Sequence, residues 1–89
     1  MDPLKLQILG YVCTLKLKYG VESVSLARLC FKMRQHIRFV KPAADSLADS
    51  GVLDKFKDEN GKVRYSISDL GIRYIENNGI ITIRDWITE

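Results

Sequence analysis

At 89 residues, 46% hydrophobic and 28% charged, the chain has room for one domain, and a domain this small buries its core only marginally, so a partner chain would help. These proportions, with no repeat or low-complexity segment, argue against a disordered chain; no apolar run reaches the length of a membrane span, and Asp2, Pro3 and Lys5 are not followed by the apolar block of a secretory signal. The net charge of +3 is unevenly placed: residues 1–44 carry eight Lys and Arg against Asp2 and Glu22, residues 45–89 carry six against nine acids, and no acid lies between Glu22 and Asp45.

Asp2 is suited to cap a first helix and Pro3 to open it, because the N–H that proline lacks would have no partner there. That helix is expected to run to Tyr19 and stop at Gly20. Leu4, Ile8, Val12, Leu15 and Tyr19 form one apolar stripe, and Leu6, Leu9, Cys13 and Leu17 form a second beside it. This is more apolar face than one small core covers, so either the helix crosses the middle of the domain or one stripe meets a second subunit. Cys13 and Cys30 sit among apolar neighbours without C-x-x-C spacing and read as buried thiols rather than a disulfide.

Val21 to Val24 reads as a short extended piece and Ser25 as the N-cap of a second helix, SLARLCFKM. Leu26, Leu29, Cys30 and Met33 would pack, and Arg28 and Lys32, four residues apart, would share the opposite face as phosphate contacts or as a solvated surface. Arg34-Gln35-His36-Ile37 forms the next turn, with His36 exposed. The third helix ends at Gly51. Val40, Ala44 and Leu47 line its core face, and Arg38, Lys41, Asp45 and Asp49 point elsewhere, with Asp45 and Asp49 on the exposed side. Pro42 is tolerated in a first turn and costly later, which places the start of this helix between Ile37 and Lys41. A start near Arg38 leaves Arg38, Phe39, Lys41 and Pro42 at its leading end; a start at Pro42 moves Arg38 and Lys41 into the turn.

LDKFKDENGKVRYSIS reads as strand, turn, strand, with Asn60-Gly61 supplying the positive φ angles of a tight hairpin. Alternation sets Lys55 and Lys57 opposite Phe56, and Lys62 and Arg64 opposite Val63 and Tyr65, so four cations are expected on one side of the tip. They would track phosphates, or simply solubilise an edge, beside the acids Asp58 and Glu59. Ser68 caps a fourth helix, DLGIRYIENN, in which Leu70, Ile72, Tyr74 and Ile75 pack, Arg73 and Glu76 face out, and Asn78-Gly79 closes the element. The tail IITIRDWITE carries Ile80, Ile81, Ile83, Trp86 and Ile87, which must be buried whether it forms a helix capped by Thr82 or a strand. It is expected to make a dimer seam with the first helix, the alternative being a cap on the monomer's own core.

The short helix ending in L-x-x-x-G-V-L (Leu47, Gly51, Val52, Leu53), the charged hairpin, and Y-x-I-S-x-x-G (Tyr65, Ile67, Ser68, Gly71) entering a helix together resemble the winged helix-turn-helix of small microbial transcription regulators, over about Leu4 to Asn77. The resemblance implies an α+β, mainly α fold in residues 1–79: a three-helix core, a two-stranded hairpin wing and a C-terminal helix, with 80–89 as a dimer or core-capping element. It also implies a homodimeric regulator that binds double-stranded DNA sequence-specifically, and the lack of a span-length apolar run and of a secretory signal reads as cytoplasmic. The third helix would enter the major groove, and the contacts would come from Arg28, Lys32, Arg34, His36, Arg38, Phe39, Lys41, Lys55, Lys57, Lys62 and Arg64. The rival is a winged helix that serves as a protein–protein interaction module of a larger assembly, which accommodates Asp45, Asp49, Asp58 and Glu59 more easily.

Enzymatic chemistry is not expected. His36 with Cys13 and Cys30 gives at most three metal ligands spread over helices and a turn, and no third group is placed to orient a Cys–His pair. Neither G-x-x-x-x-G-K nor G-x-G-x-x-G occurs, so no nucleotide loop and no cofactor are expected.

Overall fold

The computed structural model describes residues 2–78; the expected closure at Gly79 and the apolar segment 80–89 lie outside the described residues. The elements run α1 (Pro3–Tyr19), β1 (Val24–Ser25), α2 (Leu26–Met33), α3 (Ile37–Asp49), β2 (Leu53–Lys57), β3 (Val63–Ile67) and α4 (Asp69–Asn78). The Asp2 carboxylate accepts from the Leu4 N–H at 2.9 Å, and Gly20 closes α1 in the left-handed conformation at φ 69°. Ile8 to Thr14 are buried without a break, so α1 has no solvated face over two turns. Of the two expectations for its double stripe, α1 crosses the middle of the domain, against α2, α3, β3 and α4.

Ser25 ends β1 and begins α2, its hydroxyl accepting from the Arg28 N–H at 3.1 Å. The expected extended piece pairs with the sheet only from Val24, while Val21 stays 40% exposed. The three strands are antiparallel in the order β1-β3-β2, with Val24 opposite Tyr65 and Leu53 opposite Ile67. Leu29, Val40, Ala44, Leu47, Leu53, Tyr65 and Ile67 close the core beneath this sheet with Ile8, Leu9 and Val12 of α1. Cys13 and Cys30 are free thiols.

The two sequence motifs meet in space. Gly51 takes φ 84° just after α3, its N–H donating to the Ala48 carbonyl, and the chain turns so that the Val52 N–H reaches the Leu47 carbonyl at 3.2 Å. Ser68 then donates its N–H to the Val52 carbonyl at 3.2 Å and its hydroxyl to the Gly51 carbonyl, while that hydroxyl accepts from the Gly71 N–H at 3.0 Å to cap α4. Gly71 lies against the Val52 carbonyl so closely that a Cβ there would run into it. Both glycines of the motifs therefore answer to one seam between the end of α3 and the start of α4.

Three expectations are corrected by the structure. Asn60-Gly61 is not a two-residue turn: the loop is Glu59-Asn60-Gly61, Gly61 alone takes positive φ (77°), and the Asp58 carboxylate holds the Asn60 and Lys62 N–H groups at 2.9 and 3.0 Å. The hairpin cations do not share a face, because the register sets Lys55 opposite Tyr65 and Lys57 opposite Val63, on the face away from the Phe56–Arg64 pair. Leu70 is 50% exposed instead of packed, its place at the seam being taken by Gly71. α3 opens at Ile37, within the expected range, which leaves Pro42 in its second turn on the exposed side of the helix.

Candidate nucleic-acid interface

α2 and α3 are joined by Arg34, Gln35 and His36. Arg34 closes α2 in the left-handed region at φ 55°, its N–H donating back into the last turn, and the Gln35 N–H reaches the Cys30 carbonyl at 3.3 Å. His36 is more than an exposed turn residue: its Nδ1 accepts from the Arg38 N–H at 3.1 Å and caps α3. α3 opens at Ile37, so Arg38, Phe39, Lys41 and Pro42 occupy its first two turns and are all exposed. The Arg38 guanidinium stands 4.9 Å from the centre of the Phe39 ring.

The eleven candidate residues fall into distinct groups. On α2, Arg28 donates through Nε to the Tyr11 hydroxyl at 3.2 Å, and the Lys32 ammonium stands 5.6 Å from the centre of the Tyr11 ring, so both cations are arranged around one buried aromatic of α1. Arg34, His36, Arg38 and Phe39 form the exposed turn and the start of α3. Lys41 and Lys55 come together on Asp45: Lys41 Nζ lies 2.7 Å from Oδ2 and Lys55 Nζ 2.9 Å from Oδ1, while the Tyr65 hydroxyl donates to Oδ1 at 2.6 Å. Asp45 thus ties α3 to the sheet and does not lie on the solvent side of α3, as alternation along the helix alone suggested. Asp49 is exposed as expected.

Partial burial alone would raise the Asp45 pKa, but hydrogen bonds from Lys41, Tyr65 and Lys55 overcome it and hold the carboxyl well below the usual range. The Tyr65 hydroxyl moves the other way, raised by burial and by the adjacent carboxylate that its proton serves. On the wing, Lys62 and Arg64 border a groove of about 500 Å³ with Ser25, Leu26 and Ala27 of the α2 start and Ile37 of α3. Arg64 is anchored there, Nε donating to the Ser23 hydroxyl at 2.8 Å and Nη2 to the Ser23 carbonyl at 3.0 Å, with the Asp58 carboxylate at 4.0 Å. Lys57 lies exposed on the opposite face of the hairpin.

The cations of the α2–α3 turn, of the Asp45 cluster and of the wing groove are therefore linked through α3, whereas Arg28 and Lys32 are set by Tyr11. Sequence reading missed Tyr11, Ser23 and Tyr65 as the groups that orient these cations. Only the Lys41–Asp45 pair carried a local signal, its spacing of four residues on a helix. Among the described residues no group of three His, Cys, Asp or Glu side chains could hold a metal ion, and no helix is long and apolar enough to cross a membrane.

No protein-family model and no curated protein matches the chain. Solved structures do. A candidate DNA-binding protein from Ralstonia eutropha JMP134 superposes with a TM-score of 0.73 at 16% identity, over 86% of this chain and 95% of that one. MepR, a transcription regulator of the Staphylococcus aureus multidrug efflux pump MepA, gives 0.71 at 13%, over 86% of this chain and 54% of its own. The transcriptional regulator BldR from Sulfolobus solfataricus gives 0.72 at 19%, over 98% and 58%. The chain thus spans a little over half the length of these two regulators. At such identities the likeness is one of fold, and with α2 and α3 joined by a three-residue turn and followed by the β2–β3 hairpin, the chain is a winged helix-turn-helix domain.

Proposed function

We propose that the chain is a transcription regulator that binds double-stranded DNA sequence-specifically as a homodimer. One observation carries the reading: the segment from Ser23 to Ala44, which builds α2, the turn and the leading half of α3, contains Arg28, Lys32, Arg34, Arg38 and Lys41 and no acid, and the first turns of α3 are exposed. The regulators and the candidate DNA-binding protein with the same fold support it. In this reading α3 enters the major groove with Arg38 and Phe39 foremost. Arg28, Lys32, Arg34 and His36 clamp phosphates, Lys41 and Lys55 present their pair to the backbone, and Lys57, Lys62 and Arg64 carry the wing along the neighbouring phosphates. The second subunit joins through the exposed C-terminal end of α1, at Leu17 and Tyr19, and residues 80–89, so sedimentation is expected to give twice the chain mass.

The test is a salt titration of duplex binding by fluorescence anisotropy. Affinity should fall steeply from low to physiological salt, by a logarithmic slope of about 0.9 for each phosphate engaged. Changing Arg38 and Lys41 together to Ala should lower affinity while thermal stability stays within about 0.5 kcal/mol, since Lys41 forms a half-exposed pair with Asp45. Unaltered affinity would remove α3 from the reading role. The second reading, a protein-interaction module, is favoured by Asp45, which holds two of the candidate lysines; a gel shift in which random duplex is not retained would select it.

A further inference from the structure

All three phenylalanines of the chain lie at the surface: Phe31 is 76% exposed, Phe39 52% and Phe56 44%. Among the described residues the core takes the rings of Tyr11 and Tyr65 and leaves the phenyl rings outside. The leading end of α3 concentrates this pattern. Ile37 is 46% exposed, Phe39 is half exposed and Pro42 is exposed, whereas Val40, the remaining hydrocarbon of these two turns, is fully buried. At 100° per residue, Phe39, Pro42, Arg38, Lys41 and Ile37 follow one another around the exposed arc of the helix. The arc is thus carbon at both edges with Arg38 near its middle.

The polar atoms of this arc are already allocated. Lys41 is held at 2.7 Å by Asp45, and Asp45 is itself occupied by Lys41, Lys55 and Tyr65. The acceptor nitrogen of His36 is closed by the Arg38 N–H. Residues 36–42 therefore offer no side-chain acceptor for the amino groups of adenine or cytosine. They keep one guanidinium, suited to the O6 and N7 acceptors of guanine, and a hydrocarbon surface around it. The one hydrocarbon group that a base pair projects into the major groove is the C5-methyl of thymine.

We infer that Phe39, with Pro42 and Ile37, reads thymine methyl groups, and that Arg38 reads a neighbouring guanine, so the recognition helix distinguishes thymine from uracil in an otherwise identical duplex. The inference rests on the proposed duplex binding and deepens it by naming the base feature that is read. The Arg38 guanidinium stands 4.9 Å from the ring centre, and Phe39, Pro42 and Gln35 line a cavity of about 510 Å³ with Asp2, Pro3, Leu4 and Lys5.

The experiment uses the full chain and a duplex recovered from a random pool by repeated selection, resynthesised with deoxyuridine in place of thymidine at one position at a time. At the positions under α3, removal of a methyl should weaken binding about threefold to fourfold, the transfer value of one buried methyl group. In Phe39→Ala, affinity for the thymine duplex should fall to that for the uracil duplex, while the midpoint of thermal unfolding is retained because the ring is half exposed. Arg38→Ala should weaken both duplexes equally and leave the thymine-to-uracil ratio intact. A selected duplex bound equally with thymine and uracil at every position would overturn the inference and leave the proposed function standing. Preserved methyl discrimination in a folded Phe39→Ala variant would also overturn it. Failure of the chain to retain any duplex would overturn both.

Discussion

The seam between residues 51–52 and 68–71 and the leading end of α3 stand at opposite limits of packing. At the seam, three hydrogen bonds join Ser68 to Gly51, Val52 and Gly71, and Gly71 leaves no room for a methyl group against the Val52 carbonyl. At the start of α3, an isoleucine and a phenylalanine lie about half exposed, with Arg38 standing over the phenyl ring. Both regions belong to the same helix-turn-helix and wing, yet one cannot accept an added atom and the other offers atoms that nothing in the monomer fully covers. Under the proposed function, stability and duplex reading are carried by separate side chains, so substitutions in the two regions should separate cleanly in their effects.

The largest expected effect is at the seam. Gly71→Ala must push α4 away from Val52 and is expected to cost about 3 kcal/mol, at the upper end for an overpacked site, read as a lower urea midpoint. Duplex affinity per folded molecule should be unchanged. A Gly71→Ala protein as stable as the parent would break the comparison at its firmer end.

Asp45 lies between the two regions in the chain, on α3, and takes hydrogen bonds from the sheet. Asp45→Asn should cost about 1–2 kcal/mol at neutral pH, because an amide is a weaker acceptor from two ammonium groups and a phenol. The pH dependence has a definite sign. The folded-state pKa is depressed, so the contribution is complete above the unfolded carboxyl value of about 3.9 and is lost as pH falls below it toward the folded value. The stability gap between parent and Asp45→Asn should therefore be constant from about pH 5 to 8 and narrow below about pH 4. Urea midpoints measured across that range check it, and a gap that widened in acid would contradict the assigned role.

The smallest effect sharpens the comparison. Arg34 is the one non-glycine residue with positive φ among the described residues, at 55°. Arg34→Gly should relieve that conformation and raise stability by about 1 kcal/mol, while duplex affinity falls and its salt slope decreases by about 0.9 as one phosphate contact is lost. Calorimetry with the salt titration reads both at once, and a variant that loses stability would assign Arg34 to the packing of the turn instead.

Much of the fold was legible because its signals are local. Asp2, Pro3 and Gly20 bound α1, Ser25 opens α2, and Gly51 and Ser68 mark the end of α3 and the start of α4, each through a backbone requirement that a residue and its near neighbours satisfy. The candidate site was legible as composition, since the acid-free run from Ser23 to Ala44 needs no coordinates to be seen. The direction of each cation was not, because Arg28 is set by Tyr11 seventeen residues away, Arg64 by Ser23 at forty-one, and Asp45 by Tyr65 at twenty.

What the chain determined by itself is therefore the set of elements, their caps and the charge they carry, because helix capping, apolar periodicity and turn chemistry act within a few residues. What the tertiary structure decided is the register that sends Lys55 and Arg64 to opposite faces, the exposure of Leu70 beside a buried Gly71, and the capture of Lys41 and Lys55 by one carboxylate. These depend on which strand lies beside which helix, and a hydrogen bond or a close backbone approach between distant segments is formed only after those segments have packed.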